Sequence, residues 1–125
     1  MRLLLDSHAL IWALTGNRRL GRKAASAIAS AKNEVWVSVA TVWETMIKAS
    51  AGKLELPADF IDKMHESGFE TLDIRLDHAI AAAELPRHHA DPFDRMMIAQ
   101  ARLERLTIIT RDRRFADYGV PILSA

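Results

Sequence analysis

The sequence contains no cysteine. That absence excludes a disulfide framework, a thiolate zinc site, an iron–sulfur cluster and a cysteine nucleophile, and it fits a reducing compartment. Any metal must be held by oxygen or imidazole. An excess of charge of either sign is also missing: 17 Lys and Arg stand against 16 Asp and Glu, a formal net charge of +1. Whole-molecule charge therefore points neither to a nucleic-acid coat protein nor to an acidic solvating domain. No stretch approaches the roughly 18 apolar residues that span a bilayer, and the opening MRLLLDSHAL is broken by Asp6 and His8. The expectation is a cytoplasmic protein with no signal peptide and no membrane partner. There is no internal repeat, low-complexity tract or linker, and the four prolines and five glycines fall as punctuation between short periodic segments. With 125 residues, 50% hydrophobic and 26% charged, the chain reads as one globular domain, 1–125, able to bury roughly two thirds of its unfolded surface.

Strands and helices alternate along it. Leu3 to Leu5 is a short apolar run ended by Asp6 and Ser7, helix-capping residue types, before a helical pattern through Ile11, Trp12 and Leu14. Gly21 to Ala31 reads as helix, Glu34 to Val39 as a β-branched strand, and Val39, Val42, Trp43, Met46 and Ile47 fall at helical spacing until Gly52. A helix over Pro57 to Glu66, a strand over Phe69 to Ile74 and a helix over Asp77 to Glu84 follow, the last stopped by Pro86. Asp91-Pro92 opens a long helix through Arg105, Leu106 to Thr110 is an apolar strand, and Val120 to Leu123 is a final short one. Apolar strands alternating with helices predict an α/β fold, a three-layer α/β/α sandwich around a mainly parallel sheet.

In such sheets ligands bind beyond the carboxyl ends of the strands. Asp6, Glu44, Asp94 and Asp112 lie there or just inside the following helix. Taken singly, each has a plain structural reading: Asp6 and Asp112 as helix caps, Glu44 as the i,i+4 partner of Lys48, and Asp94 as a first-turn acid behind the Asp91 cap. Together they form a constellation from four chain regions at one end of the sheet. Carboxylates sharing a crevice repel unless hard cations sit among them, and an oxygen-rich pocket suits Mg²⁺ or, as a substitute, Mn²⁺. That combination is suited to phosphodiester chemistry.

The stretches LLLDSHALIW, SVATVWE, HHADPFDRMMIAQA and LTIITRDRRF followed by GVPIL resemble, in order and spacing, the PIN domain and within it the VapC toxins of bacterial toxin–antitoxin pairs. The resemblance covers nearly the whole chain. It implies a Mg²⁺-dependent endoribonuclease whose four acids fall on Asp6, Glu44, Asp94 and Asp112, with Asp6 and Asp94 as direct ligands and the other two completing the pocket. Ser7, Thr41 and Thr110 would offer hydroxyl hydrogen bonds. It further implies an RNA substrate, a VapB-type antitoxin and a homodimer or toxin–antitoxin hetero-oligomer. A PIN domain used in RNA processing, or as a non-catalytic partner-binding scaffold, is the alternative. Trp12, Trp43, Met46 and Ile47 are candidates for an apolar antitoxin groove, though aromatics at helical spacing are commonly core.

Arg18, Arg19, Arg22 and Lys23, and Arg111, Arg113 and Arg114 around the fourth acid, could steer RNA phosphates. Thr110, Arg111, Arg113 and Ser7 are the expected substrate contacts. The histidines show no HExxH spacing, which argues against a zinc hydrolase; His88 and His89 read equally as substrate contacts or surface loop. A signalling receiver domain would need paired acids after the first strand and a late lysine, but Asp6 is single and no lysine follows Lys63. A haloacid-dehalogenase-type phosphatase would need an aspartate at position 8, which is His.

Overall fold

In the computed structural model, which describes residues 1–125, one sheet is built from β1 (Arg2–Leu5), β2 (Glu34–Ser38), β3 (Glu70–Leu72), β4 (Thr107–Thr110) and β5 (Ile122–Ser124). The order is β3-β2-β1-β4-β5 and every neighbouring pair is parallel. A central parallel strand is covered on both faces, which is why β1 is all leucine after Arg2. Successive side chains leave opposite faces of a strand. Leu3 and Leu5 accordingly join a cluster with Val35, Val37 and Ile109, while Leu4 joins another with Ile108 and Leu106.

Six helices supply the outer layers: α1 (Ser7–Thr15), α2 (Arg22–Ala29), α3 (Val39–Ser50), α4 (Phe60–Glu66), α5 (Leu76–Glu84) and α6 (Pro92–Glu104), with a 3₁₀ turn at Arg113–Tyr118. Leu10 and Leu14 of α1, Ala24 of α2, and Phe60 and Met64 of α4 cover the first face. Ala82 of α5, Met97, Ile98 and Ala101 of α6, and Phe115 of the 3₁₀ turn cover the second. Burial of each large apolar side chain contributes roughly 1.5–3 kcal/mol. The α/β/α sandwich and its parallel sheet are as the sequence predicts. Several element bounds shift by one to three residues. Pro57 lies in a turn closed by the Phe60 N–H on its carbonyl, so α4 begins three residues later. β3 is trimmed to three residues because its ladder runs only from Trp36↔Glu70 to Ser38↔Leu72. β5 starts after Pro121, which has no N–H to give a ladder.

From β1 the chain moves outward through β2 and β3, then returns to lay β4 on the other side of β1. The segments leaving β1 and β4 therefore diverge, and a crevice opens at their carboxyl ends. α3 touches both α1 and α6 and so spans the two helical layers beside that crevice.

Arg95 fixes α6 against the loop that leads into it. Its Nη2 donates to the carbonyls of Ala82 and Leu85 at 2.9 and 2.8 Å, and its Nη1 to those of Pro86 and His89 at 3.0 and 3.2 Å. The last carbonyls of a helix have no partner within it, and a planar guanidinium can serve several at once. Arg95→Ala is expected to lower unfolding free energy by about 2–3 kcal/mol, and Arg95→Lys to recover less than half of that, both read from urea denaturation midpoints.

Candidate active site

Four acids meet over the carboxyl ends of β1 and β4. Asp6 directly follows β1, where its N–H donates to the Ile109 carbonyl at 3.2 Å and its Oδ1 caps α1 by accepting from the Ala9 N–H at 2.8 Å. Asp112 follows β4 and caps the 3₁₀ turn through the Arg114 N–H at 3.0 Å. Asp94 lies in the first turn of α6, behind the Asp91 cap, whose Oδ1 accepts from the N–H groups of Phe93 and Asp94 at 2.8 and 3.0 Å. Pro92 occupies the position where a missing N–H does no harm. Glu44 projects from α3 with only 12% of its side chain exposed, and Lys48 reaches it at 3.4 Å. The structural reading of each acid and its place in the constellation thus hold together.

Their mutual influence registers most strongly on Asp94. Its carboxyl is pushed up to about 7, first by burial and then by the negative charges of Asp91, Glu44, Asp112 and Asp6. Burial also raises Asp6, opposed by hydrogen bonds from the Thr110 hydroxyl and the Ala9 N–H. Asp112 is held down at about 2, chiefly by Arg114, whose Nε and Nη2 grip its two oxygens at 3.0 and 2.8 Å. Thr110, 1% exposed, also accepts from the Asp112 N–H at 3.0 Å and so ties two of the acids to one hydroxyl. A half-buried pocket of carboxylate oxygens with too little positive charge matches the donor chemistry of a hard divalent cation.

Two residues whose roles the sequence leaves open stand in the pocket. His89, 7% exposed, places Nε2 2.9 Å from Asp94 Oδ2 and 3.3 Å from Asp112 Oδ2. His89, Asp94 and Asp112 can bring one ligand atom each within 4.8 Å of one another. A histidine in a loop has no periodicity to mark it as inward-facing, and only its spacing of two residues before the Asp91 cap was available as a signal. In sequence Arg114 reads as part of a basic run; its reach to Asp112 follows from the tight 3₁₀ geometry.

Of the other expected contacts, Arg111 is engaged outside the pocket. Arg111 donates to the Ala125 carbonyl at 2.9 Å and to that of Arg19, and lies 4.6 Å from the Trp12 ring centre, none of them an acid of the pocket. Arg113 is exposed, Ser7 is a half-buried first residue of α1, and Thr41 is buried. Trp12 lines a cavity with Leu20, Ile28 and Phe69, apart from Trp43, Met46 and Ile47, which share a shallow surface with Ser50 and Ala51. Trp43 is not core: it is 61% exposed and meets Phe93 edge-on at 5.3 Å. Arg18, Arg19, Arg22 and Lys23 are all exposed.

A parallel α/β/α sandwich with carboxylates at its topological switch point defines a class of folds that bind ligands at that edge. The chain belongs to the PIN domain family, whose model matches residues 3–121. Among solved structures it is similar to a toxin–antitoxin complex from Klebsiella pneumoniae, at 27% identity and a TM-score of 0.67, covering 98% of this chain and 96% of that one. It shares its fold with VapBC2 from Rickettsia felis bound to a DNA fragment from their promoter (15% identity, TM-score 0.74, 99% and 98% covered). It does so too with DNA-bound VapBC from Salmonella typhimurium (23%, 0.71, 99% and 98%). No curated protein sequence matches the chain. No helix is long and apolar enough to cross a membrane.

The raised Asp94 fixes the sign of one pH effect. A carboxyl at about 7 when folded and 3.8 when unfolded destabilises the fold fully above pH 7, and that penalty fades as pH falls towards 4. Without metal, Asp94→Asn is therefore expected to melt on the order of 5 °C above wild type at pH 8 and level with it at pH 4, as read by calorimetry.

Proposed function

We propose that residues 1–125 act as a single PIN domain of the VapC type: a Mg²⁺-dependent endoribonuclease and the toxin of a toxin–antitoxin pair. The observation that carries this reading is the convergence of Asp6, Glu44, Asp94 and Asp112 on one half-buried pocket, where burial first and the neighbouring negative charges second push Asp94 up to about 7. Asp6 and Asp94 would hold the cation directly, and Glu44 and Asp112 would complete its surroundings. A cation bound there would lower the pKa of an attacking water and neutralise charge on phosphate oxygens. The protein's own part is to fix the acids: α1, α6 and the 3₁₀ turn all point their N-termini at the pocket, where partial positive charge favours anions. Arg113, exposed beside Asp112, is free to meet a phosphate of the RNA. A cytoplasmic site of action follows from such a substrate.

Support for an antitoxin partner comes from the surface next to the acids and from the toxin–antitoxin complex that is 27% identical. Val39, Trp43, Met46 and Ile47 are exposed on α3. Trp43 packs on Phe93, and these two adjoin Glu44 and Asp94 in sequence. An amphipathic partner segment laid on this strip would stand beside the pocket.

Purified protein is expected to cut a mixed RNA panel with Mg²⁺, to stop in EDTA, and to lose at least about 100-fold in rate as folded Asp94→Asn. Cleavage that ignores both changes would overturn the assignment. Trp43→Ala is expected to leave unfolding free energy within about 0.5 kcal/mol of wild type while weakening the cognate antitoxin about tenfold or more, measured by urea denaturation and calorimetric binding. A collapse of stability would return Trp43 to the core.

A further inference from the structure

His89 is held both at its backbone and at its ring. Its backbone N–H donates to the Tyr118 hydroxyl at 2.8 Å, which in turn donates to the Pro86 carbonyl at 2.8 Å. Its carbonyl accepts from Arg95 at 3.2 Å, and its ring centre lies 5.8 Å from that of Phe115. At the ring itself, Nδ1 accepts from the Asp91 N–H at 3.2 Å, while Nε2 faces the two carboxylates.

These contacts decide the tautomer. A ring nitrogen that accepts a hydrogen bond carries no proton, so in the neutral ring the proton is on Nε2 and is donated to Asp94 and Asp112. A protonated nitrogen has no lone pair for a metal ion. Moving that proton to Nδ1 would set it head-on against the Asp91 N–H. The ring as placed therefore serves the acids as a donor and cannot ligate a cation. Asp112 is fully engaged as well: Oδ1 accepts from the Arg114 N–H and Nε, and Oδ2 from Arg114 Nη2 and His89. A cation that Asp94 would hold, with Asp112 completing its surroundings, would compete with the Nε2–H for these oxygens. Space for the ring exists nearby, in a pocket of about 320 Å³ lined by Ala83, Arg87, His89, Ala90 and Arg95.

We propose that His89 is a positioning residue that, through its Nε2–H, holds Asp94 and Asp112 together while no metal is bound and yields its place between them when a divalent cation enters. This inference rests on the metal-dependent reading above. Its test is a calorimetric titration of Mn²⁺ at one fixed pH into wild type, His89→Gln and His89→Ala, joined to ¹H–¹⁵N spectra of the imidazole rings in wild type with and without Mg²⁺. Expected are a bare Nδ1 and protonated Nε2 for His89 in the metal-free protein, a change in its ring signals with Mg²⁺, and about tenfold tighter Mn²⁺ binding by His89→Ala, the worth of one lost hydrogen bond, with His89→Gln between. Weaker or unchanged binding by His89→Ala, or a proton found on Nδ1 without metal, would overturn the role while leaving the metal site standing. Failure of all three proteins to bind Mn²⁺ would overturn both.

Discussion

Mutual repulsion among carboxylates that share one half-buried pocket sets the terms for the structure around it. Nothing in the apolar layers could hold Asp6, Asp94 and Asp112 so close; each is fixed by a hydrogen bond that its own stretch of backbone supplies or receives. Helix N-termini arriving at the same edge add partial positive charge, and Arg114, Thr110 and His89 add donors. Even so, Asp94 remains protonated up to about 7. The pocket keeps an unmet demand for positive charge, which is the physical content of a cation site.

The fold makes that crowding possible at little cost elsewhere. Because β1 and β4 are neighbours whose following segments diverge, the first residues after both strands open onto one crevice. Capping and site-building then fall on the same side chains. Asp6 and Asp112 each use one oxygen to start a helical turn, so local stability and pocket geometry are selected together. Asp94 breaks that harmony, being destabilising where it stands, as functional groups often are.

Much of this was legible in the residues. The five strands, their parallel arrangement and the helices between them follow from apolar runs, capping residues and proline positions, because backbone propensity and burial agree at nearly every element. The acids were legible because strand ends are marked by abrupt polarity, as at Leu5-Asp6 and Thr110-Arg111-Asp112. Side-chain direction was not. Arg111 turns to Trp12 and the carbonyls of Ala125 and Arg19 while Arg114 takes Asp112, a choice set by the 3₁₀ turn and not by spacing. His89 does its work in a loop between two helices, where no period exists to show which way a residue faces, and Arg95 reaches back from α6 to the carbonyls of that loop. The apolar residues of α3 divide likewise: Val42 packs inward, while Trp43, Met46 and Ile47 meet solvent.

The most direct measurement is the number of protons released when Mg²⁺ binds at pH 7, obtained by calorimetry in buffers of differing ionisation enthalpy. A cation that takes the Asp94 carboxylate must displace a proton present on about half of the molecules at that pH. Binding with release of about half a proton in wild type, and none in Asp94→Asn, is the expected result. Binding without proton release, or no binding at millimolar Mg²⁺, would contradict the assignment of this pocket as the metal site.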